Sequence, residues 1–309
     1  MNLDPEIERL VKMLESMQTE PFSEANLAER RKMADSKPFP MKPENLRKIS
    51  NLKFSHHGIE IPMRLYEPEA RRDSLILFFH GGGFVFGSIE SHDDLCRIAA
   101  NRSGCSVLSV EYRLAPENKF PAAVEDGYEA YLWARKNAKT LGVDPDRIGV
   151  SGDSAGGNIS ASLSMMLRDQ GIQVPKLQAL LYPSLGRLKG SSSMKEFADG
   201  PYLKLKDMEF FGRAYLRDER DLTNPYFAPA GVENLSGLPE AIIATAEFDP
   251  LRDEGEIYLS RLRNAGVPAT GIRAKGMIHG FGSFISVVPA AMNIISMIWT
   301  LAGERMRSA

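Results

Sequence analysis

One stretch of nine residues constrains this chain more than any other. Residues 150–158 read Val-Ser-Gly-Asp-Ser-Ala-Gly-Gly-Asn, and they contain the pattern Gly-x-Ser-x-Gly with Ser154 at its centre. A short apolar run at 147–150 precedes the stretch, and a run at 159–167 that is typical of a helix follows it. A chain that passes from strand to helix through one serine must turn sharply, and flanking glycines permit such a turn. The pattern therefore predicts an exposed serine hydroxyl at the carboxyl edge of a sheet, beside a helix N-terminus.

Short apolar runs alternate with helical segments through the middle of the chain. This arrangement predicts an α/β fold with a mostly parallel central sheet covered by helices on both faces. Before these runs, alternating apolar residues predict an antiparallel hairpin over 46–54 and 59–67. The apolar runs lie at 75–79, 105–110, 148–150, 177–181, 241–245 and 269–274, and the helical segments lie at about 90–103, 121–140 and 154–170.

Two segments are predicted to form a helical cap on this sheet. Residues 1–45 are predicted to be an N-terminal helical cap segment, and residues 46–309 the catalytic domain. Within that domain, residues 187–225 interrupt the alternation of strands and helices, with a loose stretch at 190–193 and a helix over 203–216. An insert between core strands usually lies over the carboxyl edge of the sheet, where ligands bind.

The N-terminal helices have two interpretations that the sequence leaves open. They either cover the surface of the core, which the amphipathic pattern favours, or form a lid over an acyl pocket. The side chains that would line such a pocket are Met13, Leu14, Met17 and Phe22.

A histidine and three glycines, His80-Gly81-Gly82-Gly83, follow directly on the run 75–79. Attack on an ester carbonyl creates an oxyanion, which needs hydrogen-bond donors already in place. Backbone N–H groups of consecutive glycines are suited to this because no Cβ blocks the approach. The turn at Ser154 predicts that the N–H of Ala155 is a partner donor, and His80 itself is expected to hold the loop.

An acid and a base with suitable positions follow later in the chain. Asp249 comes after the run 241–245, and His279 follows the last strand in a loop that contains glycine. The order Ser…Asp…His is the one found on α/β folds with such a serine turn. In this arrangement the histidine accepts the serine proton and the acid orients the histidine. Asp253 is a weaker candidate for the acid, because it is expected to lie at the start of the next helix. Glu247 is weaker still, and the remaining histidines, His56, His57 and His92, are predicted to be poorly placed.

Composition excludes several other classes of protein. A net charge of −2 leaves no basic surface for nucleic acid, and two cysteines, Cys96 and Cys105, imply no disulfide framework. No His and Cys spacing is typical of a metal site, and we expect no cofactor. The N-terminus lacks the apolar region of a signal peptide, which predicts a cytoplasmic protein. The uncharged stretch 284–303 contains Pro289 and Asn293, so we expect a C-terminal helix from about residue 290 and no membrane span.

Taken together, these motifs resemble the hormone-sensitive lipase family of α/β-hydrolases, and within it the microbial carboxylesterases with Gly-Asp-Ser-Ala-Gly. The resemblance runs from about residue 46 to the end. It implies an α/β-hydrolase fold with a helical cap, no cofactor, and a homodimer formed through a sheet edge. It also implies oxyanion donors at Gly82, Gly83 and Ala155, and a scaffolding role for residues 112–117. The motifs are His80-Gly81-Gly82-Gly83, Tyr112-Arg113-Leu114-Ala115-Pro116-Glu117, residues 152–158, Asp249-Pro250-Leu251-Arg252-Asp253-Glu254 and Ile278-His279-Gly280-Phe281.

The sequence thus predicts a serine carboxylesterase for small-molecule esters, and the resemblance implies short to medium acyl chains. Phe84, Phe86 and Phe210 join Met13 and Met17 as candidate pocket residues. An amidase or deacetylase with the same triad is the nearest alternative, and acyl transfer to an alcohol is another. A non-catalytic small-molecule receptor is a remote alternative. Plant gibberellin receptors share this fold but lack the catalytic histidine, whereas this chain has His279.

Overall fold

The computed structural model describes residues 1–17, 20, 22–37, 39–186 and 191–307, and one eight-stranded sheet forms the centre of this described part. In chain order the strands are β1 Lys48–His56, β2 Ile59–Glu67, β3 Leu75–Phe79, β4 Ser106–Val110, β5 Ile148–Asp153, β6 Leu177–Leu181, β7 Glu240–Phe248 and β8 Ala269–Ile278.

The sheet combines an antiparallel start with a parallel core, as the sequence predicts. The strand order is β1-β2-β4-β3-β5-β6-β7-β8. β1 pairs with β2 and β2 with β4 in antiparallel fashion, whereas every pair from β4 to β8 is parallel. The carboxyl ends of β3, β5, β6, β7 and β8 therefore meet along one edge of the sheet, where ligands bind in open α/β folds.

Helices cover both faces of the sheet. Alternate residues of β3 point to opposite faces, so that Ile76 and Phe78 belong to one apolar cluster and Leu75, Leu77 and Phe79 to another. The first cluster includes side chains of α1, α3 and α10, and the second includes side chains of α4 and α6. The helices are α1 Pro5–Ser16, α2 Leu27–Asp35, α3 Asp93–Ser103, α4 Ala122–Lys136, α5 Ala138–Leu141, α6 Ala155–Asp169, α7 Ser192–Glu196, α8 Leu205–Tyr215, α9 Arg252–Asn264 and α10 Pro289–Arg305.

Most predicted elements are present, and the differences have local causes. The segment 121–140 forms two helices because Asn137 leaves the helical conformation, with its side-chain amide donating to the Trp133 carbonyl oxygen at 2.8 Å. The segment expected to be loose, 190–193, is in its described part the start of α7, where the Ser191 hydroxyl accepts the Met194 N–H at 3.3 Å. α10 begins at Pro289, close to the expected residue 290. Within the described ranges, every helix is too short or too polar to cross a membrane.

Candidate active site

Ser154 forms a strained turn between β5, which ends at Asp153, and α6, which begins at Ala155. Its backbone has φ 51° and ψ −114°, a left-handed conformation that is uncommon for a residue with a side chain. Two backbone hydrogen bonds fix the turn: Ser154 N–H donates to the Leu181 carbonyl at 2.9 Å, and Ser184 N–H donates to the Ser154 carbonyl at 3.0 Å. A Cβ on Gly156 would lie 1.8 Å from the Phe79 carbonyl oxygen, so only glycine lets α6 approach β3 this closely.

His279 lies between Ser154 and Asp249. Its Nε2 is 2.9 Å from Ser154 Oγ, and its Nδ1 is 2.8 Å from Asp249 Oδ2. The other carboxylate oxygen of Asp249 accepts the Leu251 N–H at 2.8 Å, which fixes the rotation of the carboxyl group. Asp249 is fully buried and His279 nearly so. The three groups are therefore arranged to pass a proton from the serine hydroxyl to an imidazole whose other nitrogen is oriented by a carboxylate.

The two other acids considered for this position bind elsewhere. Asp253 Oδ2 accepts the Ser193 N–H at 2.8 Å, which links α9 to α7. Glu247 Oε2 accepts the Gly276 N–H at 2.8 Å at the end of β8. Both contacts are structural, and the structure therefore brings Asp249, and neither of these acids, to His279.

The glycine loop that follows β3 lies against the serine turn. Gly81 N–H donates to Asp153 Oδ1 at 2.8 Å, and a Cβ on Gly156 would lie 2.8 Å from the His80 carbonyl oxygen. Gly82 and Gly83 both have positive φ, at 118° and 59°. A Cβ on Gly82 would lie 2.1 Å from the Phe86 carbonyl oxygen, so the turn requires glycine. The candidate donors Gly82, Gly83 and Ala155 thus belong to two adjoining backbone turns.

A buried polar network beneath the loop was missed by the sequence analysis. His92, which was predicted to lie on a helix and to be poorly placed, directly precedes α3, and its Nε2 is 3.2 Å from Asp153 Oδ1. The Ser91 hydroxyl lies 2.8 Å from the other ring nitrogen of His92. Burial raises the pKa of the Asp153 carboxyl, but His92, His80 and the Gly81 N–H outweigh it, so that the pKa lies below its usual value. Asp153 is therefore a buried carboxylate next to Ser154.

Four phenylalanines form a cluster in front of the glycine loop. Phe22 stacks on Phe86 with ring centroids 5.4 Å apart and contacts Phe211 edge-on at 4.9 Å. Phe210 lies 6.3 Å from Phe22. A Cβ on Gly83 would lie 2.5 Å from the Phe211 ring, so this ring directly covers the loop. The cluster joins the N-terminal segment to α8, and Phe211 is the member that the sequence analysis did not name as a pocket residue.

Other candidate pocket residues have different surroundings. Phe84 is buried and its ring stacks on Tyr215 with centroids 3.9 Å apart, so its observed contacts are those of a core residue. Met13 and Met17 on and after α1 are 39 % and 62 % exposed. A pocket role for these three residues stays a prediction.

Tyr182 supports the histidine from behind and was also missed. It follows β6 with φ 35°, and its ring meets the His279 ring edge-on with centroids 5.2 Å apart. The hydroxyl lies so close to Gly282 that a Cβ there would be 2.5 Å away. Nothing in the local sequence distinguishes this tyrosine, because its contact with His279 depends on the pairing of distant strands.

No metal cluster accompanies the site in the part of the chain that the structure describes: nowhere do three or more His, Cys, Asp or Glu side chains converge in a way that could bind an ion. The groups that meet at the site are the Ser154 hydroxyl, the His279 imidazole and the Asp249 carboxylate, and backbone N–H groups lie beside them.

Comparison with known proteins agrees with the fold. Residues 76–283 match a family model described as an alpha/beta hydrolase fold, which is the class that the sheet and the serine turn define. An arylesterase of Saccharolobus solfataricus is 39 % identical over 91 % of this chain and 92 % of its own length. A carboxylesterase of Mycobacterium tuberculosis is 39 % identical over 93 % of this chain and 92 % of its own length.

Solved structures give the same result. One of them is an ester hydrolase from the metagenome of Lake Arreo, in complex with a derivative of bipyridine phosphonate. It is 35 % identical in sequence and superimposes with a TM-score of 0.94, and the match covers 99 % of this chain and 100 % of the hydrolase chain. The chain belongs to the hormone-sensitive lipase family of α/β-hydrolases, as the motifs indicated, and it is an esterase.

Proposed function

We propose that this protein is a serine carboxylesterase in which Ser154 is the nucleophile, His279 the general base and Asp249 the residue that orients it. The observation that carries the proposal is the position of the His279 imidazole, which lies 2.9 Å from the serine oxygen on one side and 2.8 Å from the carboxylate on the other. These are hydrogen-bond distances, so proton transfer requires no large rearrangement.

In the first half of the reaction, Ser154 Oγ attacks the acyl carbon of the ester while His279 Nε2 accepts the hydroxyl proton. The backbone N–H groups of Gly82, Gly83 and Ala155 bind the resulting oxyanion, and each well-placed donor contributes roughly 3–4 kcal/mol to such a transition state. The intermediate then collapses, His279 returns the proton to the departing alkoxide, and an alcohol leaves with the acyl group bound to Ser154.

In the second half, water takes the place of the alcohol. His279 accepts a proton from this water as it attacks the acyl-serine ester, and the same donors bind the second oxyanion. Collapse releases a carboxylic acid and returns the proton to Ser154. The deep burial of the Asp249 carboxylate and its contact with Nδ1 support the imidazolium that exists during both steps.

We further propose that residues 1–45 and 187–225 act as the cap of a pocket for short to medium acyl chains. The aromatic cluster of Phe22, Phe86, Phe210 and Phe211 supports this proposal, because it connects both segments and lies in front of Gly83. An apolar wall of this kind suits an uncharged ester with a hydrocarbon chain.

We also propose a homodimer formed through β8, and a cytoplasmic location. β8 lies at one end of the sheet, and beside it Ile272, Met297 and Leu301 line a shallow apolar cavity. Both Cys96 and Cys105 are buried free thiols, which is compatible with a reducing compartment. Light scattering coupled to gel filtration tests the dimer, and cell fractionation tests the location.

A fluorophosphonate probe tests the catalytic proposal directly. The wild-type protein is expected to hydrolyse p-nitrophenyl butyrate and to carry the phosphonyl group on Ser154 in a peptide mass map. Ser154→Ala is expected to fold normally and to lose turnover by about 10⁴-fold or more. Ser164→Ala removes a buried hydroxyl from the same helix, where it bonds the Ser160 carbonyl at 2.7 Å, and is expected to keep the activity.

The alternatives are separated by the same assay. Matched ester and anilide substrates with one acyl chain distinguish an esterase from an amidase, since the anilide has the poorer leaving group. Substantial turnover by Ser154→Ala, or a phosphonyl group on another residue, would contradict the assignment of the nucleophile.

A further inference from the structure

Two consecutive peptide groups at the start of the glycine loop are fixed by buried side chains. In the peptide between His80 and Gly81, the carbonyl oxygen accepts a hydrogen bond from the Tyr112 hydroxyl at 2.8 Å. The N–H of the same peptide donates to Asp153 Oδ1, also at 2.8 Å. This peptide group is therefore held at both ends by side chains from distant parts of the chain.

The next peptide group, between Gly81 and Gly82, is held at its carbonyl. The Gly81 carbonyl oxygen lies 2.8 Å from Nδ1 of His80. An oxygen of this kind can only accept, so Nδ1 must carry the proton. The carbonyl and the N–H of a trans peptide point in opposite directions, and this peptide is trans. The bond from His80 thus sets the direction of the Gly82 N–H.

The side chains involved are rigid because they are packed and paired. His80 is fully buried, Tyr112 is 2 % exposed and Asp153 is 4 % exposed. The Tyr112 ring stacks on the His80 imidazole with centroids 4.3 Å apart and an angle of 18°. Asp153 Oδ1, which accepts the Gly81 N–H, also lies 3.2 Å from His92 Nε2. A Cβ on Gly81 would lie 2.3 Å from Asp153 Oδ2, so the carboxylate can approach this peptide only because residue 81 is glycine.

We propose that Asp153 and Tyr112 are positioning residues that hold the His80–Gly81 peptide between them, so that His80 can bind the Gly81 carbonyl and aim the Gly82 N–H at the oxyanion. The inference rests on the proposed function, because it needs Ser154 as nucleophile and Gly82 as a donor. Neither side chain touches the substrate. Loss of either one is therefore expected to weaken binding of the transition state while leaving binding of the ester ground state nearly unchanged.

Three variants with one matched control test this inference. Tyr112→Phe removes only the hydroxyl, and Asp153→Ala removes the acceptor of the Gly81 N–H. Asp153→Asn keeps an amide oxygen that can still accept that N–H, and it is the conservative rescue. Tyr131→Phe is the control, because Tyr131 is an equally buried tyrosine whose hydroxyl donates to a backbone carbonyl, that of Gln173, at 3.2 Å and away from the loop.

The expected result is a fall in kcat without a matching rise in KM. Tyr112→Phe and Asp153→Ala are expected to lower kcat by roughly ten- to a hundredfold, which is less than the ~10²–10³-fold cost of deleting a donor outright. KM is expected to change by less than about threefold. The inhibition constant of an alkyl trifluoromethyl ketone, which forms an oxyanion adduct on the serine, should rise in proportion to the loss in kcat/KM. Asp153→Asn should recover most of the activity lost in Asp153→Ala, and Tyr131→Phe should match the wild type.

Titration with the fluorophosphonate separates failure of this inference from failure of the proposed function. A wild-type protein that is not labelled on Ser154 would overturn the proposed function and the inference with it. Normal labelling of the wild type together with an unchanged kcat in Tyr112→Phe, or a loss seen in KM alone, would overturn the positioning role only. If Asp153→Ala does not fold, Tyr112→Phe against Tyr131→Phe decides the question.

Discussion

Nε2 of His279 lies 2.9 Å from Oγ of Ser154, although 125 positions separate the two residues in the chain. The parallel sheet explains this closeness. Ser154 directly follows β5, Asp249 follows β7 and His279 follows β8, and these strands lie within one run of the strand order, β5-β6-β7-β8. The carboxyl ends of parallel strands share one edge, so each residue needs only to follow its own strand to reach the others.

Substitution of the two neighbouring aspartates separates catalysis from structure. Asp249→Asn is expected to lower kcat by about 10⁴-fold with little change in stability, because the amide favours the wrong imidazole tautomer. Asp253→Asn is expected to keep kcat within about threefold and to destabilise the protein by about 1 kcal/mol, since an amide oxygen can still accept the Ser193 N–H between α9 and α7 but lacks the charge of the carboxylate. Ester kinetics and urea unfolding of both variants measure these effects. A larger loss of kcat in Asp253→Asn than in Asp249→Asn would reverse the assignment.

The sequence predicts candidate catalytic residues that each follow the end of a strand. Ser154, Asp249 and His279 each follow an apolar run, and the glycines after His80 mark a backbone that must stay uncovered. Such signals are local, and the sheet brings them together without further information. The predicted bounds of β3 and β6 are those observed, because both strands are short, fully buried and apolar throughout.

Contacts between distant segments could not be predicted in the same way. His92 precedes α3 and contacts Asp153 across 61 positions of the chain, and nothing near either residue indicates the pair. Phe22 meets Phe211 only because the N-terminal segment and α8 pack together in front of the glycine loop. Side chains that meet by tertiary packing leave no periodic pattern, whereas a strand end or a glycine turn does.

Phe211 is expected to limit the size of the acyl chain. Its ring covers Gly83 and touches Phe22, so Phe211→Ala opens space directly in front of the glycine loop. The ratio of kcat/KM for p-nitrophenyl octanoate to that for the acetate is expected to rise by roughly tenfold or more. Ile257→Ala is the control, because this side chain is 40 % exposed on α9, outside both cap segments, and its ratio should match the wild type. An unchanged ratio in Phe211→Ala would show that the acyl chain binds elsewhere.

Arg31 is expected to attach the N-terminal segment to the catalytic domain. Its guanidinium on α2 donates to the Val85 and Ala115 carbonyls at 2.7 and 2.8 Å and to both Glu117 carboxylate oxygens at 2.8 Å. Arg31→Ala is expected to lower the free energy of unfolding by about 1–3 kcal/mol, since these hydrogen bonds are charged. It should also raise KM, because Val85 follows the glycine loop. Lys32→Ala, at an exposed position on the same helix, should stay within about 0.5 kcal/mol of the wild type. Equal effects of the two substitutions would mean that Arg31 does not anchor the segment.

His80 is expected to remain neutral down to acidic pH and to make stability depend on pH. Burial, together with the nearby His92, lowers the pKa of the His80 imidazole to about 3, whereas a histidine in an unfolded chain has a pKa near 6.5. Between these values the unfolded chain binds a proton that the native protein does not. This group therefore stabilises the native state fully above pH ~6.5, and its contribution falls by up to ~1.4 kcal/mol per pH unit on acidification.

In NMR spectra of ¹³C,¹⁵N-histidine-labelled protein, the His80 signals, assigned by their absence in His80→Gln, should stay constant from pH 8 to 5 and show the proton on Nδ1. A midpoint between pH 5 and 7, or a proton on Nε2, would contradict both the neutral state and the bond to the Gly81 carbonyl.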